Sequence, residues 1–225
     1  MKAKKYLNLN DYELFVFDCD GVLIDSNKLK SISFQKSLEV YPENLVEDFI
    51  QYHIKNGGIS RYVKLDYFFS QILKMKNYHS ELELALKKFS IVSNHLIEER
   101  AKLIPGVNEF LKVLYEKNKK IYVCSGSDEQ DLKKILSLKG ISKFFHNIYG
   151  SPGTKSEIVK KILQQTSDKD QGIFFGDALS DYEAASNHHL DFIFVSFNSD
   201  WVEGKNISQK EGFRSISSFQ DIKPV

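Results

Sequence analysis

Two aspartates, Asp18 and Asp20, come directly after the apolar segment at residues 14–17 and are separated by a single residue. The segment is unbroken and rich in β-forming residues, which is typical of a strand buried on both faces of a parallel sheet, and Gly21 ends it. Because side chains alternate along a strand, Asp18 and Asp20 are expected to point the same way and Cys19 the other way. Two carboxylates in one pocket repel each other unless a cation such as magnesium lies between them.

The acidic pair belongs to a longer pattern. The order DxDGxxxDS after an apolar strand is matched by Asp18, Asp20, Gly21, Asp25 and Ser26. This pattern resembles the signature of the haloacid dehalogenase superfamily, whose members mostly transfer or hydrolyse phosphoryl groups. Three further matches follow in the order that this family requires, so the resemblance covers most of the chain.

The first further match lies after the apolar residues 121–124, where the sequence reads SGSD. Ser125, the backbone N–H groups of Gly126 and Ser127, and the start of the following helix would offer hydrogen-bond donors to a phosphate. The resemblance implies that Ser125 holds phosphoryl oxygens. The alternative is ordinary turn and helix-cap chemistry, which SGSD also fits.

The second match is Lys155, in the first turn of a helix predicted over residues 155–165. A cation is unfavourable at this end of the helix dipole, and a nearby anion would relieve it. Lys155 resembles the family lysine that neutralises the aspartate nucleophile and the transferring phosphate. The chain departs from the family in having Ser156 and Glu157 where many members have Pro-x-Pro. A solvated lysine is the alternative.

The third match is Gly176, Asp177 and Asp181, after a strand predicted at residues 172–175. Carboxylate oxygens at a strand end suit magnesium, which prefers a few carboxylates and keeps several waters. The family pattern GDxxxD implies that Asp177 is a metal ligand. For Asp181 two alternatives remain: it binds the ion through water, or it caps the helix that begins near residue 180.

Together these matches imply a two-step mechanism. Asp18 attacks the phosphorus and forms an aspartyl phosphate. Asp20 protonates the departing oxygen and then takes a proton from the attacking water. The carboxylate of Asp18, the backbone carbonyl of Asp20 and Asp177 bind Mg²⁺, which offsets the charge of the phosphoryl oxygens together with Lys155 and Ser125. Dehalogenases of the superfamily lack the second aspartate, so a halogenated substrate is disfavoured.

Arg61 is the candidate for substrate selection. It follows Gly57 and Gly58 in the segment NGGISR, which resembles the G-x-S-R segment of β-phosphoglucomutase-like members, where the arginine contacts the distal phosphate of the substrate. A guanidinium can bind a second anionic group with two parallel hydrogen bonds. The alternative is an exposed arginine on a helix.

The elements that position these residues divide the chain into two parts. From residue 27 to about residue 100 apolar residues recur at helical spacing with no strand, which predicts a bundle of four helices. From residue 104 strands and helices alternate, as in a doubly wound parallel sheet, which binds ligands at the carboxyl ends of its strands. The predicted fold class is therefore α/β, a Rossmann-like core at residues 1–26 and 101–225 with an inserted helical cap at residues 27–100.

The composition of the chain limits the classes of partner that it is expected to bind. The 225 residues are 42% hydrophobic and carry a formal net charge of +1, so no overall field draws the chain to nucleic acid or to a membrane surface. No apolar run approaches the length of a membrane span, and the amino terminus does not resemble a signal peptide. We expect a cytoplasmic monomer or weak dimer, with Cys19 and Cys124 as buried thiols, that acts on a small phosphorylated substrate.

Three functions are consistent with these residues. The first is an Mg²⁺-dependent phosphatase that hydrolyses a small phosphorylated metabolite, such as a sugar phosphate. The second is a phosphomutase similar to β-phosphoglucomutase, in which the phosphoryl group returns to a sugar, and Arg61 is the residue that keeps this possibility open. The third is a binding protein that retains the fold without turnover, against which the intact Asp18, Asp20, Lys155 and Asp177 argue.

Overall fold

The computed structural model describes residues 8–167 and 171–222. Within these residues a single sheet is formed by six strands: β1 (Leu14–Phe17), β2 (Lys120–Asp128), β3 (Asn147–Ser151), β4 (Gly172–Gly176), β5 (Asp191–Val195) and β6 (Arg214–Ile216). Their order in the sheet is β3-β2-β1-β4-β5-β6, and every neighbouring pair is parallel. The predicted α/β class is confirmed.

Alternation along β1 explains why its residues are apolar without interruption. Phe15 and Phe17 face one layer of the core, whereas Leu14 and Val16 face the other, and all four are fully buried. Such a strand has no polar face because helices cover both sides of a parallel sheet. Cys19 and Cys124 are buried free thiols, as predicted.

Five helices cover the two faces of the sheet in the described part of the chain: α5 (Val107–Glu116), α6 (Glu129–Leu138), α7 (Lys155–Leu163), α8 (Leu179–Asn187) and α9 (Gly204–Glu211). The strand expected at residues 144–149 begins later, because residues Ser142–Phe144 form a 3-10 turn. Helix α9 and strand β6 lack a strong sequence pattern and were not predicted. No helix in the described ranges combines the length and the apolar character that crossing a membrane requires.

Residues 27–100, the cap, form the four predicted helices: α1 (Asn27–Ser37), α2 (Glu43–Lys55), α3 (Arg61–Tyr67) and α4 (His79–Arg100). A π-helical turn, Phe68–Ile72, continues α3. The cap has its own apolar centre, in which the rings of Phe34, Phe49, Phe68 and Phe89 pack together. Two other clusters of buried apolar residues, one on each face of the sheet, are separate from this centre. The domain boundaries at residues 26/27 and 100/101 stay predictions, and residues 1–7, 168–170 and 223–225 of the predicted core lie outside the described residues.

The strand order determines where a ligand can bind. The chain leaves β1 toward β2 and β3 on one side and later returns to place β4 on the other side of β1. At such a reversal the loops after the two central strands diverge and leave a crevice at their carboxyl ends. Asp18 follows β1 and Asp177 follows β4, so both lie at this crevice.

Candidate active site

Asp18 and Lys155 form a buried ion pair at the carboxyl end of the sheet. Nζ of Lys155, in the first turn of α7, lies 3.3 Å from Oδ1 of Asp18, and neither side chain is more than 5% exposed. The Oδ1 atom of Asp18 has no hydrogen-bond partner. The lysine is therefore not the solvated residue of the alternative interpretation.

Two further aspartates complete a buried acidic cluster. One carboxylate oxygen from each of Asp18, Asp177 and Asp181 lies within 4.8 Å of the others. Asp177 also accepts a 2.8 Å hydrogen bond from the side-chain amide of Asn27. Among the described residues Lys155 is the cation that pairs with this cluster, so the cluster would carry an excess of two negative charges if all three carboxylates were ionised.

Asp181 lies at the start of α8 and is fully buried. Its Oδ2 accepts hydrogen bonds from the backbone N–H groups of Asp177, at 3.2 Å, and Ala178, at 3.0 Å, and its Oδ1 accepts one from Lys155. Asp181 thus caps the loop before α8 and orients Lys155. These contacts fit the capping alternative, and a contact with metal through water stays a prediction.

The crowding of the acids is visible in their proton affinities. Burial raises the pKa of Asp18 to about 7, with the opposing effect of Lys155 exceeded by burial and by the charges of Asp181 and Asp20. Burial and the charges of Asp18 and Asp181 likewise raise the pKa of Asp177. Burial alone would lower the pKa of Lys155, but Asp18 and Asp181 raise it well above its usual value.

These residues fit a divalent cation. A hard cation such as magnesium prefers carboxylate oxygens, and its two positive charges would balance the excess of the cluster. An oxygen of Asp18 without a hydrogen bond is available to such an ion. Gly21 leaves the space for this arrangement, because a Cβ atom there would lie 2.1 Å from Oδ2 of Asp177.

Asp20 has a separate set of partners. Its Oδ1 accepts a 2.6 Å hydrogen bond from Ser26 Oγ, and its Oδ2 accepts one of 2.6 Å from Ser127 Oγ. Lys30, on the first turns of α1, forms an ion pair with Asp20 and also contacts Ser127. Burial would raise the pKa of Asp20, but Lys30 and the hydroxyl donors lower it below its usual value. The repulsion expected between Asp18 and Asp20 is thus offset, because Asp18 pairs with Lys155 and Asp20 pairs with Lys30.

Ser125 and Gly126 lie within β2, which extends further than predicted. Ser125 is buried, and its Oγ accepts a 3.2 Å hydrogen bond from the backbone N–H of Ser127. The carboxylate of Asp128 caps the first N–H groups of α6, so the helix start does not offer these donors to a phosphate as the sequence suggested. Phosphate binding by Ser125 and Gly126 stays a prediction, with both residues on the cavity wall.

The cap closes over this site through its glycine pair. Ser180 Oγ donates a 3.0 Å hydrogen bond to the carbonyl of Gly57. A Cβ atom on Gly58 would lie 2.7 Å from Lys155 Nζ, and one on Gly126 would lie 2.1 Å from the carbonyl oxygen of Gly58. Glycine is therefore required on both sides of the contact. A cavity of about 510 Å³ remains between cap and core, and Asp18 and Asp20 line it.

Arg61 lies in the wall of the same cavity, and its side chain is 12% exposed. Its guanidinium donates a 2.7 Å hydrogen bond to Asp131 and lies 3.4 Å from the carboxylate of Asp128, both on the core side. The alternative of an exposed arginine is therefore wrong. Binding of a second substrate anion by Arg61 stays a prediction. It requires that the guanidinium either release these carboxylates or bind the anion while it still contacts them.

Sequence reasoning missed several residues that contact the predicted ones. Asn27 donates to Asp177, and Lys30 pairs with Asp20. The hydroxyl of Ser127, a residue considered only for its backbone N–H, also donates to Asp20. Asn27 could have been found, because it directly follows the DxDGxxxDS pattern. Lys30 gives no such signal, since a lysine one turn into a helix is usually solvated and only the rotation of α1 turns it toward Asp20.

Comparison with known proteins places the chain among related sequences. Residues 15–195 match the family model described as haloacid dehalogenase-like hydrolase. A phosphoglycolate phosphatase of Aquifex aeolicus is 26% identical over 183 residues, which cover 76% of this chain and 78% of that protein. The pyrophosphatase PpaX of Listeria welshimeri is 25% identical over 183 residues, which cover 76% of this chain and 77% of that protein.

Solved structures agree with this placement at the level of the fold. A hydrolase from Pseudomonas syringae superposes with a TM-score of 0.75 at 19% identity, and the match covers 93% of this chain and 95% of that one. At this identity the similarity concerns the arrangement of core and cap. The chemistry depends on the residues of the site.

Proposed function

This chain belongs to the haloacid dehalogenase-like hydrolase family and is a phosphatase of that family, and we propose that it hydrolyses a small phosphomonoester in a magnesium-dependent reaction through an aspartyl-phosphate intermediate. One observation carries the proposal. Asp18, Asp177 and Asp181 come from two segments more than a hundred residues apart in sequence, yet their carboxylate oxygens lie within 4.8 Å of one another beside Lys155.

Asp18 is the nucleophile in this proposal. Its carboxylate oxygen attacks the phosphorus in line, the bond to the departing oxygen breaks, and the phosphoryl group is carried on Asp18. Lys155, 3.3 Å from Asp18, lowers the cost of bringing an anionic phosphoryl group to a buried carboxylate. Ser125, which lies on the cavity wall, would donate its hydroxyl to a phosphoryl oxygen.

Asp20 is the general acid and the general base in this proposal. In the first step it gives a proton to the departing oxygen, and in the second it takes one from the water that attacks the aspartyl phosphate. Lys30 favours the ionised form of Asp20 and thus the second role. An arriving phosphoryl group adds negative charge beside Asp20, which raises its proton affinity and prepares the first role.

The carboxylates of Asp18 and Asp177 and the backbone carbonyl of Asp20 would hold the magnesium ion. Asp181 would lie beside these ligands and orient Lys155. When bound, the ion supplies positive charge that stabilises the phosphoryl oxygens during transfer. Asn27 orients the carboxylate of Asp177 through its 2.8 Å hydrogen bond. This part of the proposal rests on the donor set and on its excess negative charge.

Two names among the relatives suggest substrates to test. The matched proteins are named for phosphoglycolate and for pyrophosphate, both of them small phosphorylated molecules. Sugar phosphates remain the other candidates. The mutase alternative depended on Arg61, and the contacts of Arg61 with Asp131 and Asp128 give it no support.

A substrate panel tests the proposal. Purified protein is incubated with para-nitrophenyl phosphate, phosphoglycolate, pyrophosphate and sugar phosphates, with magnesium or with EDTA, while phosphate release and sugar isomerisation are followed. Magnesium-dependent release that is lost in Asp18→Asn supports the proposal. Isomerisation primed by a bisphosphate would indicate the mutase, and release that is unchanged by EDTA and by Asp18→Asn would overturn the proposal.

A further inference from the structure

Lys64 of helix α3 is a buried lysine in the wall of the active-site cavity, and it is 3% exposed. Its Nζ donates hydrogen bonds to Nδ1 of His53, at 2.9 Å, and to the carbonyl oxygen of His53, at 3.2 Å. An ammonium group has three N–H donors, and these two contacts use two of them. In the ranges that the structure describes, no third acceptor lies within hydrogen-bond distance.

His53 does not neutralise this lysine. Burial and the charges of Lys64 and Lys30 lower the pKa of His53 to about 2, so the imidazole is neutral. Its Nε2 lies 3.1 Å from Ser31 Oγ, which in turn donates to the carbonyl of Asn27. With Nδ1 accepting from Lys64, Nε2 carries the proton and donates to Ser31. This chain of hydrogen bonds fixes the position of Lys64.

Lys64 also lacks an ion-pair partner among the described residues. The acids whose charges reach it are Asp20 and Asp200, but Asp20 pairs with Lys30 and Asp200 makes no ion pair with Lys64. Burial, together with Lys30 and Lys155, lowers the pKa of Lys64 to about 7. A buried ammonium without an anion is costly unless a ligand supplies one.

We propose that Lys64, held by His53, binds a second acidic group of the substrate, a carboxylate or a phosphate, at the cap side of the active-site cavity. The inference rests on the proposed function, because it assumes that a phosphoryl group occupies the site beside Asp18. It assigns the recognition of the second group to Lys64, whose charge is unpaired. Arg61, which already has two carboxylate partners, is not needed for this role.

Lys64 also has a contact that is structural, so the experiment must distinguish a structural role of Lys64 from a role in ligand binding. The carbonyl of His53 belongs to the last turn of α2, and a cation there stabilises the helix end. A purely structural lysine would affect all ligands equally. A subsite lysine would affect only ligands that carry the second acid.

Matched non-hydrolysable probes make this distinction. Propylphosphonate and 3-phosphonopropionate differ only in a terminal methyl or carboxylate, and ethane-1,2-diphosphonate presents a second phosphoryl-like group. Their dissociation constants are measured by calorimetry with magnesium for the wild type and for Lys64→Met, which has an unbranched side chain one atom shorter and without charge. Lys64→Arg tests rescue of the charge, and Lys76→Met, an exposed cap lysine, is the control.

We expect the wild type to bind one or both acidic probes at least about tenfold more tightly than propylphosphonate. Lys64→Met should lose this preference while its affinity for propylphosphonate is unchanged, and Lys64→Arg should retain part of it. The acidic probe that binds more tightly shows whether the second acidic group of the substrate is a carboxylate or a phosphate. A wild type without a preference, whether it binds the probes equally or not at all, overturns the inference, as does a preference that survives in Lys64→Met.

Hydrolysis of para-nitrophenyl phosphate, which has no second acid, separates this inference from the proposed function. Turnover without an acid preference would leave the phosphatase assignment in place and remove the subsite. An acid preference that depends on Lys64 without any turnover would support the subsite and count against the assignment.

Discussion

The side-chain amide of Asn27 donates a 2.8 Å hydrogen bond to Oδ2 of Asp177, although 150 residues separate the two in sequence. Asn27 is the first residue of α1, so the cap helix begins inside the predicted metal site. One turn later on the same helix, Lys30 pairs with Asp20. A movement of α1 would therefore act on Asp177, a predicted metal ligand, and on Asp20, a predicted catalytic residue.

Lys30→Met tests whether Lys30 sets the proton affinity of Asp20. Lys30 lowers the pKa of Asp20, so its removal raises that pKa. Every limb of the pH–rate profile that depends on Asp20 should then move to higher pH, and on the acid side of the profile turnover of para-nitrophenyl phosphate should fall by about tenfold for each pH unit of this movement. The control is Lys28→Met, an exposed lysine on the same helix. Superimposable profiles of the two variants would contradict this role.

Gly58→Ala tests the contact between cap and core. A Cβ atom there would meet Ser180 Oγ at 2.2 Å and Lys155 Nζ at 2.7 Å, so the cap cannot dock as it does. We expect kcat/KM to fall by at least about tenfold, because small displacements of reacting groups are costly. Gly140→Ala is a matched control: φ is +75° at both glycines, but nothing lies within 4 Å of a Cβ on Gly140. Equal kcat/KM values for the two variants would mean that backbone strain alone accounts for the effect.

Arg61 and Asp131 should behave as a coupled pair in the free energy of unfolding. The guanidinium donates a 2.7 Å hydrogen bond to Asp131, and both side chains are largely buried. A double-mutant cycle with Arg61→Ala and Asp131→Ala, measured by denaturant unfolding, should give a coupling energy of about 1 kcal/mol or more. Additive single-variant effects would show that this ion pair contributes nothing and would leave substrate binding as the role of Arg61.

Lys64→Met should stabilise the ligand-free protein, most strongly at and below neutral pH, because the lowered pKa shows that burial of the charge outweighs its favourable contacts, including the one with the end of α2. The folded-state pKa of Lys64 is lowered to about 7, so between pH 7 and about 10 the unfolded chain binds more protons than the folded one. The stability of the wild type therefore rises with pH across this window, while the variant lacks this contribution. We expect a Tm several degrees higher for the variant at pH 7 and a difference that shrinks by pH 9. A lower Tm for Lys64→Met at pH 7 would contradict the absence of a counter-ion.

The fold and the core of the site could be predicted because both follow from strand ends. An apolar strand followed by acidic residues places those residues at the carboxyl edge of a parallel sheet, and Asp18 and Asp177 therefore had to lie near each other once β1 and β4 were neighbours. The place of Lys155 in the first turn of a helix was predicted from the sequence, whereas its pairing with Asp18 was implied by the resemblance to the family. None of these inferences needs knowledge of how a helix is rotated.

The contributions of the cap could not be predicted, because they depend on rotation and docking. Lys30 and Lys64 are ordinary lysines in helical sequences, and only the packing of α1 and α3 turns them toward the cavity. Arg61 was predicted to bind a second substrate anion, which stays a prediction. Its partners, Asp128 and Asp131, lie on a segment whose distance from it the sequence does not state.

The most direct test of the central claim is to locate the phosphoryl group on the chain. Para-nitrophenol leaves without needing a proton, so Asp20→Asn should still form the aspartyl phosphate but lose it slowly. Acid-quenched Asp20→Asn protein, incubated with para-nitrophenyl phosphate and magnesium, is digested and mapped by mass spectrometry. The account predicts a phosphoryl group on Asp18 that is absent from Asp18→Asn/Asp20→Asn. A phosphoryl group on another residue, or para-nitrophenol release without any labelled residue, would contradict it.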